Sequence, residues 1–151
     1  MPAFGKRRAL GQHFLRDKNI AHLIAATAVQ EAANTHCQAL LEGGPGKGAI
    51  THLILEEMSR AAGGPTLLTL AERDRDLVAN WKTIASTHAL LNQVSKSKPI
   101  GLAVEEGDFL ELPEERWLTR TPLAVASNLP YSAGTAILTR LARHPDKIPV
   151  M

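Results

Sequence analysis

The sequence has a single cysteine, Cys37, so no internal disulfide can form. Such sparse use of cysteine is typical of proteins kept in a reducing compartment. Aromatic residues make up only 4% of the chain, and tyrosine occurs once, at Tyr131. No apolar run approaches the roughly eighteen residues of a membrane-spanning helix, and the amino terminus lacks the apolar core of a signal peptide. These absences predict a soluble, cytoplasmic protein.

Charge is nearly balanced over the whole chain, at a formal net +2, but it is unevenly distributed. Residues 1–18 contain five of the 17 basic residues and one of the 15 acids. A basic arm over 1–18, with Lys6, Arg7 and Arg8 at its centre, could contact nucleic acid, because neutralising phosphates releases counterions. A frayed, solvated terminus explains the same charges. Composition alone leaves both interpretations open.

Short apolar runs alternate along the chain with segments of helical periodicity. Asp17 is a plausible cap for the first helix, and a surface loop is predicted over 87–101. The last residues, "KIPVM", are predicted to begin a further strand. The predicted helices are 18–29, 50–58, 74–86 and 132–143, and the predicted strands are 37–41, 66–71, 102–104 and 123–126.

This alternation of strands and helices predicts an α/β fold with a mostly parallel sheet and helices on both faces. In open sheets of this kind, ligands bind beyond the carboxyl ends of the strands. The residues directly after each predicted strand are therefore the candidates for a functional site.

The first strand leads into a glycine-rich loop, "LLEGGPGKGAIT", residues 40–51. Its glycines allow a tight turn and a close approach of ligand to backbone, and the following helix offers free N–H groups. The P-loop pattern fails, because Lys47 is followed by Gly48 rather than by Ser or Thr. The dinucleotide pattern G-x-G-x-x-A and the E-x-G-x-G loop of S-adenosylmethionine enzymes both fit.

Two acids follow the next two strands. Glu72 is the first charged residue after the second strand and can accept hydrogen bonds from both ribose hydroxyls of a nucleoside. Asp108, in Gly107-Asp108-Phe109 after the third strand, can accept from an adenine amine. The alternatives are a surface acid and an ordinary Gly-Asp turn.

The fourth strand ends in Asn128-Leu129-Pro130-Tyr131, the predicted catalytic turn. The Asn128 oxygen and a nearby carbonyl could hold the two hydrogens of an adenine amine and stabilise charge that grows on its nitrogen. Pro130 would stiffen the turn, and Tyr131 could stack on the base. A structural turn with Tyr131 in the core is the alternative. Methylation of a base amine explains this turn, whereas NAD chemistry does not.

These segments together strongly resemble the ribosomal RNA small-subunit adenine dimethyltransferase family, of the kasugamycin-sensitivity type. Its members have a Rossmann-like class I S-adenosylmethionine-dependent methyltransferase fold. The matching blocks follow the family's order and cover the chain: "KRRALGQHFLRD" (6–17), "LLEGGPGKGAIT" (40–51), "LAERDRDL" (70–77), "EEGDFLEL" (105–112) and "SNLPYSAGTAIL" (127–138).

The resemblance implies that the cofactor is S-adenosylmethionine and that S-adenosylhomocysteine is the product. The implied methyl transfer needs no metal. It implies that Lys6, Arg7 and Arg8 approach RNA and that Asn128 lies between cofactor and target base. The partner would be small-subunit ribosomal RNA in a pre-30S-type particle, bound by a monomer. The implied cofactor-binding residues are His13, Leu15, Gly44, Gly46, Glu72, Asp108 and Asn128.

The chain departs from the family pattern in two places. Gly43 and Lys47 stand where the family usually has aliphatic residues, and Ala71 and Arg73 flank the ribose acid without removing a ligand. The family also continues with further strands and a helical RNA-binding domain. The resemblance therefore implies a basic arm (1–18) and an incomplete cofactor-binding domain (19–151), which holds cofactor but does not methylate RNA alone.

Three other functions stay open at this point. A large-subunit adenine methyltransferase of the macrolide-resistance type shares the Asn-hydrophobic-Pro-aromatic turn. An NAD-binding oxidoreductase domain would share the glycine loop and ribose acid. A non-catalytic ribosome-assembly factor could retain the fold.

Overall fold

The computed structural model describes residues 15–94, 97–129 and 132–151. Strands and helices alternate along this part of the chain. In order, they are α1 (Lys18–Asn34), β1 (Ala39–Gly43), α2 (Thr51–Arg60), β2 (Leu67–Glu72), α3 (Arg75–Val94), β3 (Gly101–Glu106), α4 (Glu114–Trp117), β4 (Leu123–Val125) and α5 (Gly134–Leu141).

The four strands form one parallel sheet in the order β3-β2-β1-β4. Beyond β4, Val150 forms a parallel bridge with Ala124, and the Val125 N–H donates to the Val150 carbonyl. The prediction of further strand structure in "KIPVM" is thus confirmed as a single bridge. Because all strands run the same way, their carboxyl ends meet along one edge.

Alternate residues of each strand point to opposite faces of the sheet, and helices cover both faces. Leu40 of β1 faces a cluster shared with α1, α2 and α3. Its neighbours Ala39 and Leu41 face a second cluster, which includes Trp117 of α4 and Ile137 of α5. The predicted α/β fold with helices on both faces is confirmed.

Helix α1 begins as predicted, with the Asp17 carboxylate accepting hydrogen bonds from the Asn19 and Ile20 N–H groups at 2.9 and 3.2 Å. The face of the helix that is buried differs from the stripe of larger apolar residues that the sequence pattern favours. Ile20 and Leu23 are 47% and 67% exposed, whereas the buried residues are mainly alanines: Ala21, Ala25, Ala28, Val29 and Ala32. Small side chains allow α1 to approach the sheet and α2 closely. The size of its side chains therefore determines which side of the helix is buried.

The predicted loop over 87–101 is wrong for its first half, because α3 continues to Val94. His88 Nε2 and Asn92 Nδ2 lie one helical turn apart, and both bond to the Ile100 carbonyl, at 2.8 and 2.6 Å. These contacts tie the last turns of the helix to the start of β3. Leu90 and Leu91 are 63% and 58% exposed, so the outer face of these turns is apolar. The sequence therefore lacks the amphipathic pattern that would predict a helix here.

We expect Asn92→Ala to lower the free energy of unfolding by roughly 1 kcal/mol, since it removes the hydrogen bond to Ile100. Asn80→Ala is the matched control, on an exposed position of the same helix, where the gain in helix propensity is the same but no such contact is lost. Urea denaturation of both variants measures the difference. Equal stability of the two variants would contradict the assigned end of α3.

Candidate functional site

The carboxyl ends of the four strands surround one cavity of about 340 Å³. It lies at the edge where the sequence predicts the ligand. Residues from every strand end contribute to its lining, which includes Leu15, Glu42, Gly44, Gly46, Glu72, Arg73, Asp108, Phe109, Asn128 and Leu129.

The glycine loop after β1 is held by backbone contacts to β2. Gly44 has φ +64°, and its N–H donates to the Ala71 carbonyl at 2.8 Å. A Cβ built on Gly44 would meet nothing within 4 Å, so this face of the loop is open. The loop therefore presents bare backbone to the cavity, as a close-fitting ligand requires.

Trp81 of α3 fixes the far side of the same loop. Its indole Nε1 donates to the Gly46 carbonyl at 2.9 Å, and the side chain is completely buried. A Cβ on Gly48, which has φ +91°, would lie 2.7 Å from the indole ring. Helical periodicity predicts that Trp81 faces inward, but it does not predict the hydrogen bond to Gly46, which is far away in the sequence.

The ends of β1 and β4 are joined by a reciprocal pair of hydrogen bonds. The Gly43 N–H donates to Ser127 Oγ at 2.7 Å, and that hydroxyl donates to the Gly43 carbonyl at 2.9 Å. A Cβ on Gly43 would lie only 3.1 Å from Ser127 Oγ. The departure at Gly43 is thus matched by a side chain two residues beyond the end of β4, which holds the start of the loop.

Glu72 is 3% exposed and accepts three backbone hydrogen bonds. Oε2 accepts from the Gly46 N–H at 3.1 Å, and Oε1 accepts from the Arg73 and Asp74 N–H groups at 2.9 and 3.0 Å. Glu72, the predicted ribose acid, therefore also holds the glycine loop in position through the Gly46 N–H. A carboxylate has about four acceptor positions, so it can still accept from a ligand hydroxyl.

Asp108 lies at the end of β3 and is part of the cavity wall. Its Oδ1 accepts from the Leu110 N–H at 3.0 Å, and its Oδ2 accepts from Arg73 at 3.3 Å. The ion pair with Arg73 links the ends of β2 and β3, a contact that the sequence pattern does not indicate. Asp108 is thus an oriented acceptor beside the cavity.

The loop that carries Asp108 is fastened to α5 by Arg140. The Arg140 guanidinium donates to the carbonyls of Phe109 and Leu112 and lies 5.5 Å from the Phe109 ring centroid. Phe109 in turn packs against Trp117, at 4.9 Å between ring centroids. The apolar wall beside Asp108 is therefore a packed part of the core and suits one face of a planar ring.

Glu42 lies at the bottom of the site, 2% exposed, and is not among the predicted ligands. Burial raises the pKa of Glu42 to about 8; the hydrogen bond from Thr51 Oγ1, at 2.6 Å, opposes that rise and the nearby Glu72 charge adds to it. The carboxyl group is therefore mostly protonated at neutral pH. The cavity holds one neutral acid beside Glu72.

The remaining predicted site residues divide into two groups. Leu15, Asn128 and Leu129 line the cavity, with Leu15 also packed against the core cluster under α1. His13, Pro130 and Tyr131, together with the basic residues Lys6, Arg7 and Arg8, lie outside the described residues. Each keeps its predicted role as a hypothesis.

The described residues show neither a metal site nor a membrane span. No group of three or more potential metal-ligating side chains occurs within them. Likewise, no helix among them is long and apolar enough to cross a bilayer. The cavity lining itself consists of open backbone, carboxylates, an amide and an aromatic side chain.

The parallel sheet, the helices on both of its faces and the cavity at its carboxyl edge are those of the Rossmann-like class I methyltransferase fold. The solved structure of SAH-bound Podospora anserina methyltransferase PaMTH1 matches it with a TM-score of 0.50 at 11% identity, over 95% of this chain and 65% of that one. At this identity the likeness concerns the fold.

Residues 3–151 match the family Ribosomal RNA adenine dimethylase, and the chain belongs to it. Ribosomal RNA small subunit methyltransferase A of Alcanivorax borkumensis is 34% identical over 94% of this chain and 43% of its own length. The protein of that name from Ruegeria sp. is 37% identical over 89% of this chain and 40% of its own. The chain thus spans less than half the length of these curated relatives.

Glu42 should make the chain less stable as pH rises. Between its usual value of 4.5 and about 8, the folded chain binds one more proton than the unfolded chain, so unfolding becomes easier by roughly 1 kcal/mol per pH unit. Glu42→Gln should remove that part of the slope and make the variant more stable than wild type near the upper end of this range. Denaturation across the range measures both.

The control for this measurement is Glu111→Gln, at an exposed position. It should leave the slope of stability against pH unchanged. A Glu42→Gln variant with the wild-type slope would show that Glu42 is ionised in the folded chain at neutral pH.

Proposed function

We propose that this chain binds S-adenosylmethionine and contributes that site to dimethylation of the exocyclic amines of adjacent adenines in small-subunit ribosomal RNA. One observation carries the proposal: the four strand ends of a chain from this family place open loop backbone, Glu72, Asp108 and Asn128 around one cavity. These groups match the parts of an adenosine linked to an amino acid.

Each part of the cofactor has a matching group in the cavity. The open backbone at Gly44 and Gly46 accommodates the methionine part, and Leu15 supplies an apolar contact beside it. Glu72 keeps its three backbone donors and has one acceptor position left for a ribose hydroxyl. Asp108 accepts from the adenine amine, with Phe109 along the ring.

The cofactor, when bound, supplies an electrophilic methyl group. Asn128 acts on the other reactant: its side-chain oxygen accepts a hydrogen bond from the target amine and orients the nitrogen lone pair. An acceptor in this position also stabilises positive charge that grows on the nitrogen during attack. Leu129 shields the reacting atoms from water, and Pro130 and Tyr131 complete the proposed catalytic turn by holding its carbonyls and stacking on the base.

The proposal for the rest of the chain follows its family. Residues 1–18, with Lys6, Arg7 and Arg8, form an arm that approaches RNA, and His13 contacts the methionine part of the cofactor. Residues 19–151 form the cofactor-binding domain. The protein acts as a cytoplasmic monomer on a pre-30S-type particle, and this chain, which spans less than half of its curated relatives, holds cofactor without turnover.

Calorimetric titration with S-adenosylhomocysteine tests the cofactor site, with NAD titrated in parallel. We expect saturable binding of the former alone. Glu72→Gln should weaken it roughly tenfold or more, because it removes a charged acceptor and loosens the glycine loop. Glu106→Gln, at the end of the neighbouring strand and outside the cavity lining, is the control and should leave the affinity unchanged.

Three results would count against this proposal. Failure to bind S-adenosylhomocysteine would remove the cofactor site. Saturable NAD binding would assign the cavity to an oxidoreductase. Equal loss of affinity in the Glu72 and Glu106 variants would show that general charge, rather than a placed carboxylate, holds the ligand.

Radiolabelled methyl transfer tests turnover. Incubated with unmodified small-subunit particles and labelled S-adenosylmethionine, the chain alone should bind cofactor and transfer no label above that of a heat-denatured sample. Transfer to RNA would show that these 151 residues suffice for catalysis.

A further inference from the structure

Arg73 and Asp108 form a pair across the mouth of the cavity. Arg73 is the first residue after β2 and Asp108 follows β3, and the guanidinium Nη1 lies 3.3 Å from Asp108 Oδ2. Both side chains line the cavity and are 39% and 34% exposed. The pair therefore belongs to the wall of the site as well as to the protein surface.

The Asp108 carboxylate is held at both of its oxygens. Oδ2 faces Arg73, and Oδ1 accepts from the Leu110 N–H at 3.0 Å. Two such contacts fix the plane of the carboxylate and leave further lone pairs for another donor. Without Arg73, only the Leu110 contact would orient the group, and the carboxylate could rotate about its terminal bond.

We propose that Arg73 is a positioning residue for base recognition: it holds Asp108 so that its remaining lone pairs accept from the exocyclic amine of an adenine nucleoside. The inference rests on the proposed cofactor site and deepens it. Arg73 and Asp108 then act as one unit that favours a purine carrying an amine over one without it.

A second arginine nearby shows what distinguishes Arg73 from an ordinary surface charge. Arg75, two residues further on, is 91% exposed, lies 3.7 Å from Glu106 and has no place in the cavity lining. A ligand in the cavity would exclude water from Arg73 and Asp108 but not from Arg75. Loss of water strengthens an ion pair, so the contribution of Arg73 grows when ligand binds.

The test is calorimetric titration of this chain with S-adenosylhomocysteine and with its 6-deamino analogue. Arg73→Ala should weaken binding of the first about three- to fivefold and change binding of the analogue by less than about 1.5-fold. Arg73→Lys should recover part of the loss, because an ammonium keeps the charge without the planar fork. Arg75→Ala, with the same loss of charge, should bind both ligands as wild type does.

A double-mutant cycle with Asp108→Ala tests whether the two residues act together. In that background Arg73→Ala should have no further effect on binding of S-adenosylhomocysteine. Equal weakening for both ligands, or equal effects of Arg73→Ala and Arg75→Ala, would overturn the inference and leave the cofactor site standing. Failure of wild type to bind S-adenosylhomocysteine would instead overturn the proposed function, and the inference with it.

Discussion

The buried carboxylate of Glu72 is the contact on which the site depends. Its three backbone donors come from two segments, the glycine loop after β1 and the turn that begins α3. A charge with 3% exposure is tolerable because these amides replace the water that it loses. The same hydrogen bonds hold the loop in position, so the proposed ribose contact and the loop architecture share one side chain.

Glu42, the second buried acid, is accommodated in a different way, as a mostly protonated carboxyl group. Glu42 accepts one hydrogen bond, from the Thr51 hydroxyl, and its burial raises its pKa to about 8. Two adjacent carboxylates, both charged, would repel each other in a region with little water. Keeping Glu42 protonated avoids that repulsion beside Glu72, at the place where the ribose is expected.

Periodicity and the rule that ligands bind beyond strand ends predicted the sheet, four of the five helices of the described residues, and the gathering of Gly44, Glu72, Asp108 and Asn128 at one edge; the short helix α4 was not predicted. These features depend on local patterns and on one rule of parallel sheets. The buried alanine face of α1 was not predicted, because hydrophobicity favours Ile20 and Leu23, whereas close packing favours small side chains. The contacts of Trp81, Ser127, Arg73 and Arg140 were missed for another reason: each joins residues far apart in the chain, and no local pattern marks them.

The two hydrogen bonds between Gly43 and Ser127 have a consequence for timing in the proposed reaction. Ser127 directly precedes Asn128, and Gly43 directly precedes the loop that would hold the cofactor. The two segments are therefore held side by side by contacts within the protein itself. In the proposed reaction, part of the spacing between methyl donor and target amine would therefore be set before either reactant binds.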